Sequence, residues 1–372
     1  MGSIRGAWQT TWMQRNHLPR PDAMIVHMLK LKLTKKQSGT LDQWLWHLTA
    51  VWNWAVRKVE NDAHDGIYYS QKSFQNLLAN HGEKIGIPSH TLQGMLIQAS
   101  IAWRRCFKKQ AGRPRLKGQR NKLNSIPFPD PLRPPKGNRI GIPGIGRVRF
   151  HKQDVPDGRI KCGRIIKRVS GWYLCLFIDA EPQAIPRKAY GMVGIDPGFK
   201  SLLTLSTGEK IEHPRELEAA AERLAQAQRG RRAKLAARLQ ERIANRRKDR
   251  NHKLSRRLVS ENVLIVFSAD NHRGIARRFG KSVSSSSHNQ LRRFLAYKSR
   301  TGGTRYVEVD PCNTTKTCSN CGALTGPTGL SGLAVRQWDC ACGAHHDRDV
   351  NASRNVLLAG AGAAHERRLR YA

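Results

Sequence analysis

The sequence predicts an α+β multidomain chain: a small antiparallel β-barrel interrupted by a helical insert, then an α/β domain with a cysteine knuckle set into it. Three observations predict this. Short strand-like runs punctuated by glycine and proline fill residues 125–180. A strand–hairpin–helix–strand–helix–strand order spans 193–311. Two close cysteine pairs, Cys318/Cys321 and Cys340/Cys342, follow it.

Composition points to the partner. The chain has 372 residues and a formal net charge of +39. A compact state with that charge repels itself, and a polyanion relieves the repulsion while releasing counterions. The basic residues are spread along the whole length, so nucleic acid is expected rather than an anionic membrane surface. No run of about 18 uncharged apolar residues occurs, so no membrane span is expected. Residues 1–23 lack an apolar core segment and read as an N-terminal extension, not a secretory signal. The expected location is the cytosol, near the nucleoid, where eight cysteines point to metal rather than disulfides.

The elements follow in order. MIVHMLKLKL (24–33) reads as a strand with Lys30 and Lys32 on one side. Leu41, Leu45, Leu48, Trp52 and Val56 fall at helical spacing, with Trp44, Trp46 and Trp54 beside them, and all read as core. A second helix covers 90–110, with Ser89 as its N-cap. GRPRLKGQRNK (112–122) is a basic loop whose Arg113, Arg115 and Lys117 are expected to contact phosphates. SIPFP, RIGIPG, GRVRFH, GRIKCGRIIKRV and GWYLCLFID are the barrel strands. VGIDPGFKSLLTLSTGEKIEH (193–213) reads as a buried strand, a glycine turn, a second strand and a hairpin. Segment 214–258 holds at least 14 Lys and Arg and reads as two antiparallel helices broken near Gly230. Acids are nearly absent along 223–257, so Arg231, Arg232, Arg246, Arg247 and Arg250 are assigned to a phosphate-tracking surface. NVLIVFSA (262–269) is a central strand, GKSVSSSSHN (280–289) a low-complexity loop, QLRRFLAYKS a helix and RYVEVDP (305–311) another strand. This order fits a ribonuclease H-like domain.

Two candidate metal sites stand out. Cys318 and Cys321 form a CxxC followed by Gly322, and Cys340 and Cys342 a CxC followed by Gly343, with 18 residues between the pairs. Four thiolates so spaced make a closed tetrahedral Zn2+ site that stabilises a loop too small for a core of its own. The second pair is tighter than a CxxC, so His345, His346 and Cys312 stay open as substitutes. Cys106, Cys162 and Cys175 read as small buried hydrophobes. Asp196 ends the strand VGID before Pro-Gly, and Asp349 lies in HHDRDVNASRN at the start of a helix that Asp347 is placed to cap. Metal-assisted phosphodiester cleavage needs several hard oxygen ligands on one spot, so Asp196 and Asp349 are candidate ligands of Mg2+ (or Mn2+).

GIDPGFKSLLTLS, RRLVSENVLIVFS, VEVDPCNTTKTCSNCG and CGAHHDRDVNASRNVL, in that order, resemble the RuvC and zinc motifs of the TnpB family, transposon-encoded RNA-guided DNA nucleases related to type V CRISPR effectors. MIVHMLKLKLTKKQ, TAVWNWAVRK, GRPRLKGQRN and GWYLCLFID resemble the family's upstream segments, so the resemblance runs from Met24 to Gly360. It implies a wedge strand (24–44), a helical recognition domain (45–122), a wedge β-barrel (123–190), an RNase H-like (RuvC) nuclease (191–311), an inserted zinc knuckle (312–346), a C-terminal RuvC part (347–360) and a basic tail (361–372). It implies a guide RNA and double-stranded DNA as partners, a monomeric chain, and cleavage beside a short target-adjacent motif by Asp196, Asp349 and a third carboxylate.

That third residue departs from the family pattern. The family usually reads I-V-x-E-D-L, and the Glu falls on Ser268. One reading is relocation. Glu308 lies on the next strand, on the opposite face from Val307 and Val309, and its longer side chain can enter the site if that strand neighbours the Ser268 strand. Asp270 and Glu261 are weaker substitutes. The other reading is decay to a nuclease-dead RNA-guided binder that represses transcription. Retention of both Asp196 and Asp349 favours relocation. A transposase that joins strands itself is disfavoured by the knuckle lying between the second and third RuvC motifs.

Overall fold

The computed structural model describes residues 24–79, 81–119, 121–181, 183–213, 216–269, 287–328, 332 and 334–369. The chain divides into two compact units, Met1–Pro182 and Gln183–Ala372.

The first unit opens with β1 (Met24–Lys32) and α1 (Lys35–His64). The helix starts six residues before the Leu41 stripe. Thr34 begins it with a capping box: its hydroxyl accepts from the Gln37 amide at 3.2 Å, and its own amide donates to Gln37 Oε1 at 3.1 Å. The helical part therefore enters the segment assigned to the wedge strand. Two short helices, α2 (Gln71–Asn76) and α3 (His81–Lys84), lead to α4 (Ser89–Phe107). The N-cap of α4 is Pro88, without a side-chain cap, and not Ser89 as the sequence suggested.

Five strands follow: β2 (Ser125–Phe128), β3 (Arg139–Ile142), β4 (Gly146–Phe150), β5 (Arg159–Arg168) and β6 (Gly171–Asp179). With β1 they form one antiparallel sheet in the order β2-β5-β6-β1-β4-β3. β2 and β3 are its edges, so the sheet is open where a barrel was expected. Leu29 and Leu31 of β1 share a core with Leu41, Trp44, Leu45 and Leu48 of α1 and with the inward residues of the other strands. Trp46 and Trp54 break the tryptophan pattern: they are 72% and 37% exposed. Cys175 is buried, whereas Cys106 and Cys162 are only half-buried.

The second unit has a five-stranded sheet of β7 (Gly191–Pro197), β8 (Ser201–Leu205), β9 (Lys210–Glu212), β10 (Asn262–Ser268) and β11 (Arg305–Val309), in the order β11-β10-β7-β8-β9. β7 pairs antiparallel with β8 and β8 with β9, whereas β10 runs parallel to both β7 and β11. The basic segment forms α5 (Glu216–Arg229) and α6 (Ala233–Glu261), broken at Gly230 as expected. α7 (His288–Thr301) and α8 (Arg348–Leu369) complete the helices, and the two-stranded β12 (Gln337–Asp339) and β13 (His345–Asp347) precede α8. α8 runs through most of the segment read as a tail. The loop at 280–286 and the extension at 1–23 lie outside the described residues.

The sheet has two distinct faces. Val193, Ile195, Ile265 and Phe267 pack with Leu254 and Leu258 of α6 and Leu291 and Leu295 of α7. Leu264 and Val266 pack with Val356 and Leu357 of α8, joined by Val307 and Val309. Arg187 ties one end together: it donates to the carbonyls of Val259, Asn262 and Gly302 and to the Thr304 hydroxyl. Those groups are the orphaned ends of two helices and the start of a strand.

Candidate metal centres

Strand alternation sets where Asp196 points. On β7, Val193 and Ile195 face α6 and α7, so Gly194 and Asp196 face α8. Gly194 is where the helix touches the strand. A Cβ there would overlap the Ser353 carbonyl oxygen and lie 2.7 Å from the Leu357 amide nitrogen. Asp196 stands two residues beyond that contact on β7. Asp349 stands four residues, one helical turn, before Ser353 on α8. Both carboxylates thus lie on the α8 side of the sheet, one short step from a shared backbone contact. Gly194→Ala is expected to destabilise the fold by about 1–3 kcal/mol, because the overlap is with backbone that cannot rotate away. A thermal midpoint equal to the parent's would contradict this packing.

Asp347 caps α8 as expected. Its Oδ1 accepts from the amides of Asp349 and Val350, each at 3.1 Å, and its Oδ2 pairs with Lys210 Nζ of β9 at 2.6 Å. Partial burial raises its pKa, but Lys210 and the two amides outweigh that and hold the carboxyl below its ordinary value. Asp349 is thereby left without a capping task; Arg336 Nη1 approaches its Oδ2 only to 3.6 Å.

The strand register identifies what flanks Asp196. Thr204, buried and missed by the sequence reading, pairs with it from β8. On β10 Phe267 pairs with Ile195, so the next residue, the fully buried Ser268, lies beside Asp196 on the same face. Glu308 does not join them. β11 does neighbour β10, but Glu308 pairs with Phe267 and so points to the α7 side. There it forms a bidentate ion pair with Arg292 of α7 and accepts from the Tyr306 hydroxyl at 2.8 Å. Burial would raise its pKa, yet Arg292 and Tyr306 hold it below the ordinary value. Placing Glu308 in the metal site is thus corrected by the face it occupies. Glu261 precedes β10, at the opposite end of the sheet from Asp196. Asp270 lies outside the described residues. Among the described residues, no third His, Cys, Asp or Glu groups with Asp196 and Asp349 as a metal site.

The cysteines do assemble. The Sγ atoms of Cys318, Cys321, Cys340 and Cys342 all lie within 4.8 Å of one another. Cys318 to Cys342 is 3.8 Å and Cys321 to Cys340 is 3.6 Å. Thiolates about 2.3 Å from a tetrahedral zinc stand about 3.8 Å apart, so the donor set fits that ion. The CxC therefore supplies both of its sulfurs. The substitutes have other roles: His345 Nδ1 meets Asp339, the Cys312 amide donates to Asp310, and His346 Nε2 lies 3.1 Å from Cys318 Sγ. A histidine against a ligand sulfur orients it and tunes its charge. The Cys342 amide and the Thr325 hydroxyl lower the Cys340 thiol, while at Cys321 the Ala323 amide is outweighed by hydrogen bonds from the neighbouring sulfurs, which raise the thiol, so Cys340 is the cysteine of that pair favoured as thiolate. The knuckle is fastened to α8: Asn351 Oδ1 accepts from the Ser319 amide, and Asn351 and Asn355 donate to the carbonyls of Thr317 and Thr314.

The proposed phosphate contacts are arranged differently in the two units. The 112–117 loop is docked along α1: Arg113 pairs with Glu60, Trp52 Nε1 donates to the Arg115 carbonyl at 3.0 Å, and Asn53 exchanges two hydrogen bonds with the Lys117 backbone. In the second unit Arg231, Arg232 and Arg246 are exposed, whereas Arg247 and Arg250 are half-buried, Arg250 reaching Asn251 and Ser287.

Residues 177–269 match the family described as "Probable transposase", and residues 288–356 match the Cas12f1-like TNB domain. A putative RNA-guided DNA endonuclease of Streptomyces pristinaespiralis is 32% identical over 297 residues, covering 74% of this chain and 73% of that protein. The putative RNA-guided DNA endonuclease InsQ of Escherichia coli K12 is 27% identical over 304 residues, covering 73% of this chain and 75% of that one. Among solved structures, the Cas12f1–sgRNA–target DNA complex contains a chain with the same overall fold, at TM-score 0.56 and 14% identity, over 87% of this chain and 83% of that one. With its motifs in the family's order and a relative of this identity and coverage, the chain belongs to the TnpB family of RNA-guided DNA endonucleases.

Proposed function

We propose that the chain is a transposon-encoded endonuclease that carries a guide RNA and cuts double-stranded DNA beside a short motif, at a metal site built on Asp196 and Asp349. What supports this reading is the placement of both carboxylates within a few residues of the Gly194–Ser353 contact, Asp196 on the strand and Asp349 on the helix. The strand order, a three-stranded antiparallel hairpin unit continued by two parallel strands, supports the ribonuclease H-like assignment of 191–311 and 347–360, with 312–346 inserted as a zinc knuckle. The first unit then supplies the wedge and recognition parts. The basic residues of the two units, among them Arg113, Arg115, Lys117, Arg231, Arg232 and Arg246, would neutralise phosphates of the guide–target duplex, whose pairing reads the sequence.

Two carboxylates suit one Mg2+, which takes few protein ligands and completes its shell with waters and substrate phosphate oxygens. Bound there, the ion supplies charge stabilisation at the leaving oxygen and a more acidic water. Asp196 holds its share from a central strand and Asp349 from a helix N-terminus, so both donors sit on rigid elements.

A second reading, guided DNA binding without cutting, is favoured by one observation: Ser268 occupies the position beside Asp196 where the family carries Glu. A hydroxyl replaces a bridging anion poorly. One experiment separates the two. The protein is purified with its co-expressed RNA, the RNA is sequenced, and Mg2+ is added with guide-matched duplexes bearing randomised flanks. Cutting beside one enriched flank supports the nuclease; tight guide-dependent binding with intact DNA supports the binder.

Glu308→Gln is expected to leave the cutting rate within about threefold of the parent and to cost at most about 1 kcal/mol, the range of a half-exposed ion pair. A hundredfold slower rate at unchanged melting would return Glu308 to the metal site.

A further inference from the structure

One surface of the first unit is used by neither metal centre. Tyr68, just beyond α1, is 73% exposed, and Phe107, the last residue of α4, is 53% exposed. Their rings meet edge to face with centroids 6.4 Å apart. Phe107 is also stacked on Trp103 at 5.4 Å and 25°, and Trp103 is only 6% exposed. The pair is thus anchored from below and open above.

The surroundings are cationic. Residues 101–117 carry Arg104, Arg105, Lys108, Lys109 and three further cations, and no Asp or Glu. The nearest acids on α1 are largely engaged: Asp62 by Lys58 and Tyr69, Glu60 by Arg113, leaving Asp65 exposed. Lys109 adopts a left-handed backbone, φ 57°, which a non-glycine residue does at a cost. Its amide donates to the Cys106 carbonyl and that of Gln110 to the Arg105 carbonyl, each at 2.9 Å, and the chain turns back. The following loop runs along α1, with Lys117 Nζ 5.6 Å from the centre of the Trp52 ring. The aromatic pair therefore heads a continuous basic strip.

We propose that Tyr68 and Phe107 stack an unpaired base of bound RNA, while the strip from Arg104 to Lys117 follows its phosphates. Aromatic faces among cations suit unpaired nucleotides of either sugar. RNA is the occupant because its loops and bulges present bases already unstacked. A DNA duplex hides its base faces, and extruding one costs a few kcal/mol. That this RNA is the guide rests on the function proposed above; the stacking itself needs only single-stranded RNA.

The test uses the full chain. Ultraviolet cross-linking of the complex purified with its RNA, followed by nuclease digestion and mass spectrometry, is expected to find a ribonucleotide on the Tyr68 or Phe107 peptide. After the RNA is stripped and added back, Tyr68→Ala is expected to weaken its binding about 5- to 150-fold, the range for losing one base stack. Tyr68→Trp is expected to retain affinity, and both variants to melt like the parent. Parental affinity of Tyr68→Ala for this RNA overturns the proposal. So does an equal loss against a fully paired RNA, or a deoxyribonucleotide on Tyr68 when target DNA is included. A chain that retains no RNA from cells refutes the guide-RNA reading instead, and titration with a single-stranded oligoribonucleotide then decides the stacking alone.

Discussion

Asp196→Ala is expected to slow cutting of a guide-matched duplex by at least about 10³-fold, while RNA content and melting stay at parental values. The loss corresponds to several kcal/mol of transition-state stabilisation, the scale expected for removing a metal ligand from a phosphodiesterase. The fold tolerates the change because Asp196 is half-buried at a strand end, and Gly194 carries the adjacent helix contact. Asp349→Ala is expected to do the same, with about 0.3–1 kcal/mol of further destabilisation from losing a negative charge in the first turn of α8. Single-turnover cleavage with excess protein measures the effect. If the parent cuts and Asp196→Ala cuts equally well, the metal site has been placed wrongly.

The second large effect concerns the cysteines. Cys340→Ser is expected to release bound zinc, disorder the knuckle and suppress cutting together. A structural zinc contributes of order 10 kcal/mol to small metal-stabilised folds, more than the local apolar cluster around Trp338 can replace. The damage is expected to travel further than the knuckle. Asn351 and Asn355 lie on the helix that carries Asp349, and their side chains are held by the 314–319 backbone. Zinc content by elemental analysis, with amide exchange along α8, provides the check. Faster exchange in the first turns of α8 supports the linkage, whereas loss of zinc with parental exchange there and parental cutting would refute it.

Legibility in the sequence followed the range of the interactions. The cysteine pairs, the helix break at Gly230 and the Asp347 cap are set by neighbours a few residues apart, and each was readable. The open sheet was not, because closure depends on whether β2 meets β3, which no local pattern encodes. Glu308 shows the limit more sharply. Alternation correctly separated it from Val307 and Val309. Which of those faces is shared with Asp196 depends on the β10–β11 register, and on α8 covering one side while α6 and α7 cover the other. Trp46 and Tyr68 are a related case. Residue type predicts burial for a tryptophan, and only the packing of α1 against its neighbours shows Trp46 outside it.

The tight seat of α8 on Gly194 has a consequence for timing. Asp349 follows Asp196 by 153 positions, and the knuckle that anchors its helix is made in between. Synthesis proceeds from the N-terminus, and domains fold as they emerge. The first unit and the Asp196 strand therefore leave the ribosome well before the second carboxylate exists. If Asp349 completes the proposed metal site, a nascent chain would meet RNA before it could break DNA, and the order of residues would set a delay between being guided and being armed.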